Sequence, residues 1–183
     1  MIRYYAGIGS RETPPDVMKR MTQLARRLDQ LGFVLRTGGA DGADTAFAQG
    51  VESSLKQVFL PWKGFNGVES VYCNPAAEAF AIAAQLHPAW THLTTGAKRL
   101  HARNVHQILG ARLQEPVPSE FIVCWTRDGC DDGLKTTSKT GGTGGALRVA
   151  AHLGVNRIFN LKNEGALDAL TAYIRETTPG ARR

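Results

Sequence analysis

The sequence predicts an α/β fold: a Rossmann-like open parallel sheet of about five strands flanked by helices, with a helical insertion between strands 3 and 4. Three observations predict it. Short, β-rich apolar runs alternate with segments of helical spacing from one end of the chain to the other. Glycine clusters sit where the first, second and fourth apolar runs end. The longest of these, Thr136 to Leu153 (TTSKTGGTGGALRVAAHL), passes from an apolar run directly into a helical pattern. Strands that alternate with helices build a parallel sheet, and ligands of such sheets bind at the carboxyl ends of the strands.

Ile2 to Ile8 (IRYYAGI) reads as a buried first strand. Thr13 is placed to cap the following helix, with Pro14 at its first position, where a missing N–H costs nothing. Val17, Met21, Leu24, Leu28 and Leu31 recur at helical spacing from Asp16 to Leu31, and Gly32 stops that helix. Phe33 to Thr37 is the second strand, Thr45 to Val51 a helix, and Val58 to Pro61 a third strand ended by proline. The stretch 62–118 is the insertion, with helices expected from Pro75 to Leu86 and from Ala97 to Leu113. Phe121 to Trp125 is strand four, the glycine-threonine loop and its helix follow, and Arg157 to Leu161 is strand five. Ala166 to Ile174 closes as an amphipathic helix, ahead of a polar tail ending in Arg182 and Arg183. No repeat and no linker interrupts this order, so residues 1–183 read as one domain.

Hydrophobic residues make up 43% and charged residues 21%, ordinary values for a globular protein. No apolar run reaches the length of a membrane span, and no leader pattern opens the chain. Three scattered cysteines, Cys73, Cys124 and Cys130, fit a reducing compartment better than a disulfide framework or a zinc site. The expectation is a cytoplasmic protein without metal or cofactor. A net charge of +6 suits a phosphate-rich partner, from a nucleotide to nucleic acid, but the basic residues are spread over several helices.

The three glycine loops carry the candidate site. Gly9, Ser10 and Arg11 follow strand one; Gly38, Gly39, Asp41 and Asp44 follow strand two; Thr140, Gly141, Gly142, Thr143, Gly144 and Gly145 follow strand four. A glycine loop feeding a helix N-terminus offers unpaired amides and the positive end of the helix dipole to an anion. The last loop is therefore read as holding phosphate, Arg11 as clamping a second anionic or polar group, and Asp41 and Asp44 as contacting ribose. The two aspartates are also candidate catalytic carboxylates, against the alternative that they cap a helix. Arg103, Asn104 and His106, near the start of a helix, can together read a base or phosphate, and Trp125 offers a stacking face, with core packing its alternative. Taken alone, His106 reads as structural, and Glu69 and Glu78 as exposed. The polar stretch Asp128 to Lys139 reads as a mobile flap over the ligand. No Ser-His-Asp spacing, CxxC pair or Walker motif is present.

At GIGSR, TGGADGAD and TGGTGGALRVAAHLG the chain resembles the SLOG superfamily, the Rossmann-like group shared by the DNA-processing protein DprA and the LOG phosphoribohydrolases. The resemblance covers roughly residues 2 to 60 and 119 to 162 and is closest to the DprA-like branch, whose small single-domain members are common in phage and prophage genes. Leu100–Gly110 and Cys124–Thr126 look similar to stretches of those proteins. It implies a parallel sheet flanked by helices, commonly dimeric, that binds a nucleotide, a nucleotide derivative or single-stranded nucleic acid, in a host cytoplasm if phage-encoded. Two positions depart from the pattern. Where LOG enzymes carry the glutamate of PGGxGTxxE, this chain has Arg148, and where DprA has the arginine of SGGARGID, it has Asp41. The first departure removes the carboxylate expected to stabilise an oxocarbenium-like sugar. The second places an acid where DNA phosphate would be met.

The expected function is thus to sense or sequester a small phosphorylated nucleoside-derived ligand at the carboxyl edge of the sheet. The alternatives are hydrolysis or transfer at a nucleotide N-glycosidic bond, and DprA-like binding of single-stranded DNA. A dimer interface is expected around Val105 to Leu109, unless that face packs into the core.

Overall fold

The computed structural model describes residues 2–178, and its inner strands are short, largely apolar runs whose alternate side chains enter opposite layers. The strands are β1 (Arg3–Gly7), β2 (Phe33–Thr37), β3 (Lys56–Val58), β4 (Phe121–Cys124) and β5 (Ile158–Asn160). They form one sheet of order β3-β2-β1-β4-β5, and every neighbouring pair is parallel. The connection leaves β1 toward β2 and β3 and later returns to β1's other side for β4 and β5. The order therefore reverses between β1 and β4, the place where an open parallel sheet leaves a crevice at its carboxyl edge.

Six α-helices cover the sheet: α1 (Pro15–Gln30), α2 (Ala43–Gly50), α3 (Ala77–Leu86), α4 (Thr95–Leu109), α5 (Thr143–His152) and α6 (Ala166–Thr177). On one face, Tyr5, Phe33, Leu35, Phe121 and Val123 pack against Met21 and Leu28 of α1, Phe47 of α2, and Leu170 and Ile174 of α6. On the other, Ala6, Ile8, Ile122 and Cys124 meet α3, α4 and α5. Small residues at Ala6, Ala102 and Ala146, all fully buried, let these layers close tightly.

The insertion is helical as expected, and it supplies the layer that most affects the site. Thr94 Oγ1 accepts a hydrogen bond from the Ala97 amide at 3.2 Å and starts α4, and Gly110, at φ 91°, ends it. Val105, Ile108 and Leu109 are at most 5% exposed, so the face expected as a dimer interface is core. Arg36 of β2, 2% exposed, holds the far end of α4 by donating to the Ile108 and Val117 carbonyls while lying 3.9 Å over the Tyr4 ring. Burial lowers this guanidinium to about 10, so it stays charged at neutral pH.

Element ends shift by a few residues from the expected ones, and three of the differences have a visible cause. The third strand pairs earlier, at Lys56–Val58; the Phe59 amide still reaches the Thr37 carbonyl at 2.8 Å, but Leu60 is diverted into a bridge with Cys73. The α4 helix stops at Leu109, because Gly110 turns the chain. Thr13 does not cap α1: its hydroxyl donates to the Ser10 carbonyl at 2.7 Å, and the helix begins on Pro14 and Pro15 without a side-chain cap. The tail with Arg182 and Arg183 lies outside the described residues. Among those described, no helix is long and apolar enough to cross a membrane.

Tyr5 sits at the centre of the first core layer, and its hydroxyl has no hydrogen-bond partner among the described residues. A buried hydroxyl without a partner costs its desolvation, so Tyr5→Phe is expected to leave stability unchanged or raise it by about 1 kcal/mol. Urea denaturation of the two proteins measures this.

Candidate functional site

The parallel sheet brings the loops after β1, β2 and β4 to one edge, and α4 crosses beside them. Between them lies an open cleft of about 650 Å³. Its walls are Gly9, Ser10 and Arg11 from the first loop, Ala40 and Asp44 from the second, and Ser138 to Thr143 from the third. Leu100, His101, Arg103, Asn104 and Gln107 of α4 complete it.

A buried polar chain holds these walls together. Asp44, 3% exposed, accepts from Arg103 Nη1 at 3.0 Å and from the Ala40 amide at 3.2 Å. Burial pushes the Asp44 carboxyl up, while the Arg103 charge and hydrogen bond pull it back toward ionisation. Gln107, with its amide set to satisfy its neighbours, accepts from the Gly38 amide at 3.0 Å and from Arg103 at 3.1 Å, and donates to Asn104 Oδ1 at 3.0 Å. Asn104 Nδ2 in turn donates to the Gly142 carbonyl at 3.2 Å. One face of α4 thereby ties the second glycine loop to the third. Gly38 is needed for this closeness: a Cβ there would sit 1.1 Å from Arg103 Nη1.

The sequence-predicted residues divide into four groups. Gly9, Ser10, Arg11, Asp44, Arg103, Asn104, Thr140, Gly141, Gly142 and Thr143 line the cleft. Gly38, Gly39 and Trp125 are buried behind it, and Asp41 is exposed and outside its lining. Gly144 and Gly145 turn toward the protein, where a Cβ on Gly145 would come 2.4 Å from His101 Nδ1. The third loop therefore presents Gly141, Gly142 and Thr143, and the amides of Gly142 and Thr143 donate to no protein acceptor among the described residues. They open α5, ten residues long, at its positive end.

Four cations border the cleft. Arg103 is matched by Asp44, and Arg127 by Glu12, the latter pair bridging the loops after β4 and β1. Arg11 and Lys139 pair with no carboxylate among the described residues. The surplus is positive, and it sits beside the unpaired amides. Ser10 is held by its own loop: its hydroxyl accepts from the Glu12 amide at 3.1 Å, and its amide donates to the Trp125 carbonyl at 3.1 Å.

Several other residues have structural roles. His106 bonds the Gly110 carbonyl through Nδ1 at 2.9 Å and accepts the Ala76 amide at Nε2 at 3.2 Å. Arg148 faces Thr136, which it meets at 2.6 Å, and lies outside the cleft. Glu78 is bound to Gln114 at 2.7 Å on the surface. The stretch Asp128 to Lys139 is a pinned loop rather than a free flap. Asp128 takes the hydroxyls of Thr140 and Thr137 at 2.6 and 3.2 Å, and Asn163 holds Gly129 and Asp131 at 2.9 and 3.0 Å. Burial raises the Asp128 carboxyl, but the Thr140 hydroxyl and other donors outweigh it and hold it below its ordinary value. Among residues that sequence reasoning did not assign to the site, Gln107 follows Arg103 by four and Leu100 precedes it by three. Their shared helix face was the available signal.

No protein-family model matches the chain, and no curated protein sequence matches it. Among solved structures, the chain is similar to DNA processing protein A from Helicobacter pylori, described for its single-stranded DNA binding mode. The two are 17% identical with a TM-score of 0.52, and the match covers 99% of this chain and 76% of that one. The likeness is one of fold, a DprA-like arrangement of the parallel sheet.

Two substitutions separate the glycine that admits Arg103 from one that faces open space. Gly38→Ala is expected to cost about 1–3 kcal/mol or more through overpacking, whereas Gly142→Ala, with nothing within 4 Å of its added methyl, stays near neutral. Asp44→Asn strands the Arg103 charge and is expected to cost about 3–5 kcal/mol. Denaturant midpoints of the three variants check both statements.

Proposed function

We propose that the cleft binds the sugar-phosphate of a nucleotide presented in single-stranded DNA. One observation carries the reading. The unpaired amides of Gly142 and Thr143, at the positive end of α5, stand in one open cleft with the unpaired cations Arg11 and Lys139. Amides at a helix start and unpaired cations are what a phosphate diester needs, and neither reads base sequence. The fold neighbour's recorded partner and the chain's +6 charge support a strand over a free nucleotide.

A free phosphorylated nucleoside is the second reading, favoured by the cleft volume, about 650 Å³, which lies in the range of small-ligand sites. N-glycosidic hydrolysis by the LOG-type route is not supported: Arg148 stands where that route has its glutamate and lies outside the cleft, and the cleft carboxylates Asp44 and Glu12 each pair with an arginine.

Fluorescence anisotropy with labelled oligo-dT tests the proposal. If about two phosphates are neutralised, affinity is expected to fall roughly five- to tenfold between about 50 and 200 mM salt. Arg11→Ala is expected to weaken binding about tenfold and to flatten that salt dependence. Tight binding of a mononucleotide with no binding of oligo-dT at low salt would replace the first reading with the second.

A further inference from the structure

A second, smaller cavity of about 190 Å³ shares Arg103 with the cleft but opens elsewhere. Phe59, Leu60, Tyr72, Cys73 and His106 form its interior, and exposed Val71 and Ala111 stand at its mouth. Phe59 is central: its ring lies 5.0 Å from Tyr72 at 46° and stacks on His106 at 5.6 Å and 17°. Three aromatic rings at one cavity are a surface for another flat ring. Asn74, at φ 62°, turns the chain beside them in the left-handed conformation that asparagine tolerates.

The polar groups narrow the ligand further. Both His106 nitrogens are already bonded, to Gly110 and Ala76, so this ring offers a face and no hydrogen. Arg103 differs. It lines the cavity with a side chain 7% exposed; its Nη1 is on Asp44, and its Nη2 makes no hydrogen bond among the described residues. A guanidinium N–H without an acceptor at a cavity wall is matched by a carbonyl or ring nitrogen of a ligand. Because Asp44 already balances the Arg103 charge, an anion gains little there and an uncharged acceptor is sufficient. The volume is below that of ordinary drug-sized sites, which leaves room for one or two fused rings.

We propose that this cavity is a second binding site for an uncharged one- or two-ring heteroaromatic molecule with a carbonyl or ring-nitrogen acceptor, the size and chemistry of a nucleobase. The inference does not rest on the cleft's ligand.

Protein NMR with adenine and cytosine as probes, and naphthalene as a ring without an acceptor, tests the site. The bases are expected to shift the signals of Phe59, Leu60 and Tyr72 at millimolar concentration, and naphthalene to bind at least tenfold more weakly. Ala111→Trp and Val71→Trp, at the exposed mouth, are expected to weaken the bases at least tenfold while the Ser10 and Gly142 amide signals stay in place. Arg11→Ala is expected to leave base binding unchanged, which separates this site from the cleft. Free bases and an oligonucleotide are tried separately. Cavity shifts with both assign the ring to a strand as well, and shifts with free bases alone assign it to a small molecule. No cavity shift with either, equal binding of naphthalene, or unaltered binding in both tryptophan variants overturns the proposal.

Discussion

The carboxylate of Asp44 and the guanidinium of Arg103 meet in the interior, 4% and 7% exposed, and the cleft is arranged around that contact. Two buried charges are costly to desolvate, and their attraction offsets this only with good geometry and further hydrogen bonds. Here the Ala40 amide and Gln107 supply those bonds. The pair thus ranks low as a source of stability and high as a constraint on shape. It fixes the second glycine loop against α4, and α4 then reaches the third loop through Asn104. Neither loop could keep its present distance from the other without that chain.

Much of the architecture was legible in the sequence because it rests on local patterns. The apolar runs at Phe33 and Phe121, the helical spacing from Val17 to Leu28, and glycine at strand ends all act within a few residues. The convergence of three loops then follows from parallel pairing alone. What stayed illegible depends on partners far apart in the chain. Asp44 and Arg103 are 59 positions apart, and no spacing rule joins them. Asp41 and Asp44 look equivalent on paper; the first lies in the turn before α2 and faces solvent, while the second, in the first turn of the helix, faces the interior. The loop from Asp128 reads as mobile because its anchors, Asn160 and Asn163, come thirty or more residues later: Asn160 Nδ2 bonds the Cys130 carbonyl and Asn163 Nδ2 the Gly129 carbonyl.

Composition proved a weak guide to the site's chemistry. The chain carries +6, but several arginines are spent on groups of the protein itself. Arg36 holds the Ile108 carbonyl at the end of α4, Arg103 holds Asp44, and Arg148 holds Thr136. The positive surplus at the cleft rests on Arg11, a candidate from the sequence, and on Lys139, an ordinary-looking lysine at the end of a loop. Position relative to the sheet edge, rather than charge density along the chain, decides which cations meet a ligand.

The bridge between Glu12 and Arg127 spans the mouth of the cleft, with both side chains more than half exposed. Arg127 is therefore already neutralised before any phosphate arrives. For this residue, taking up a ligand anion is an exchange of one carboxylate for another acceptor, in which few mobile ions leave the surface. The cleft's appetite for anions is smaller than its count of arginines, and Glu12 sets the threshold an incoming anion has to exceed.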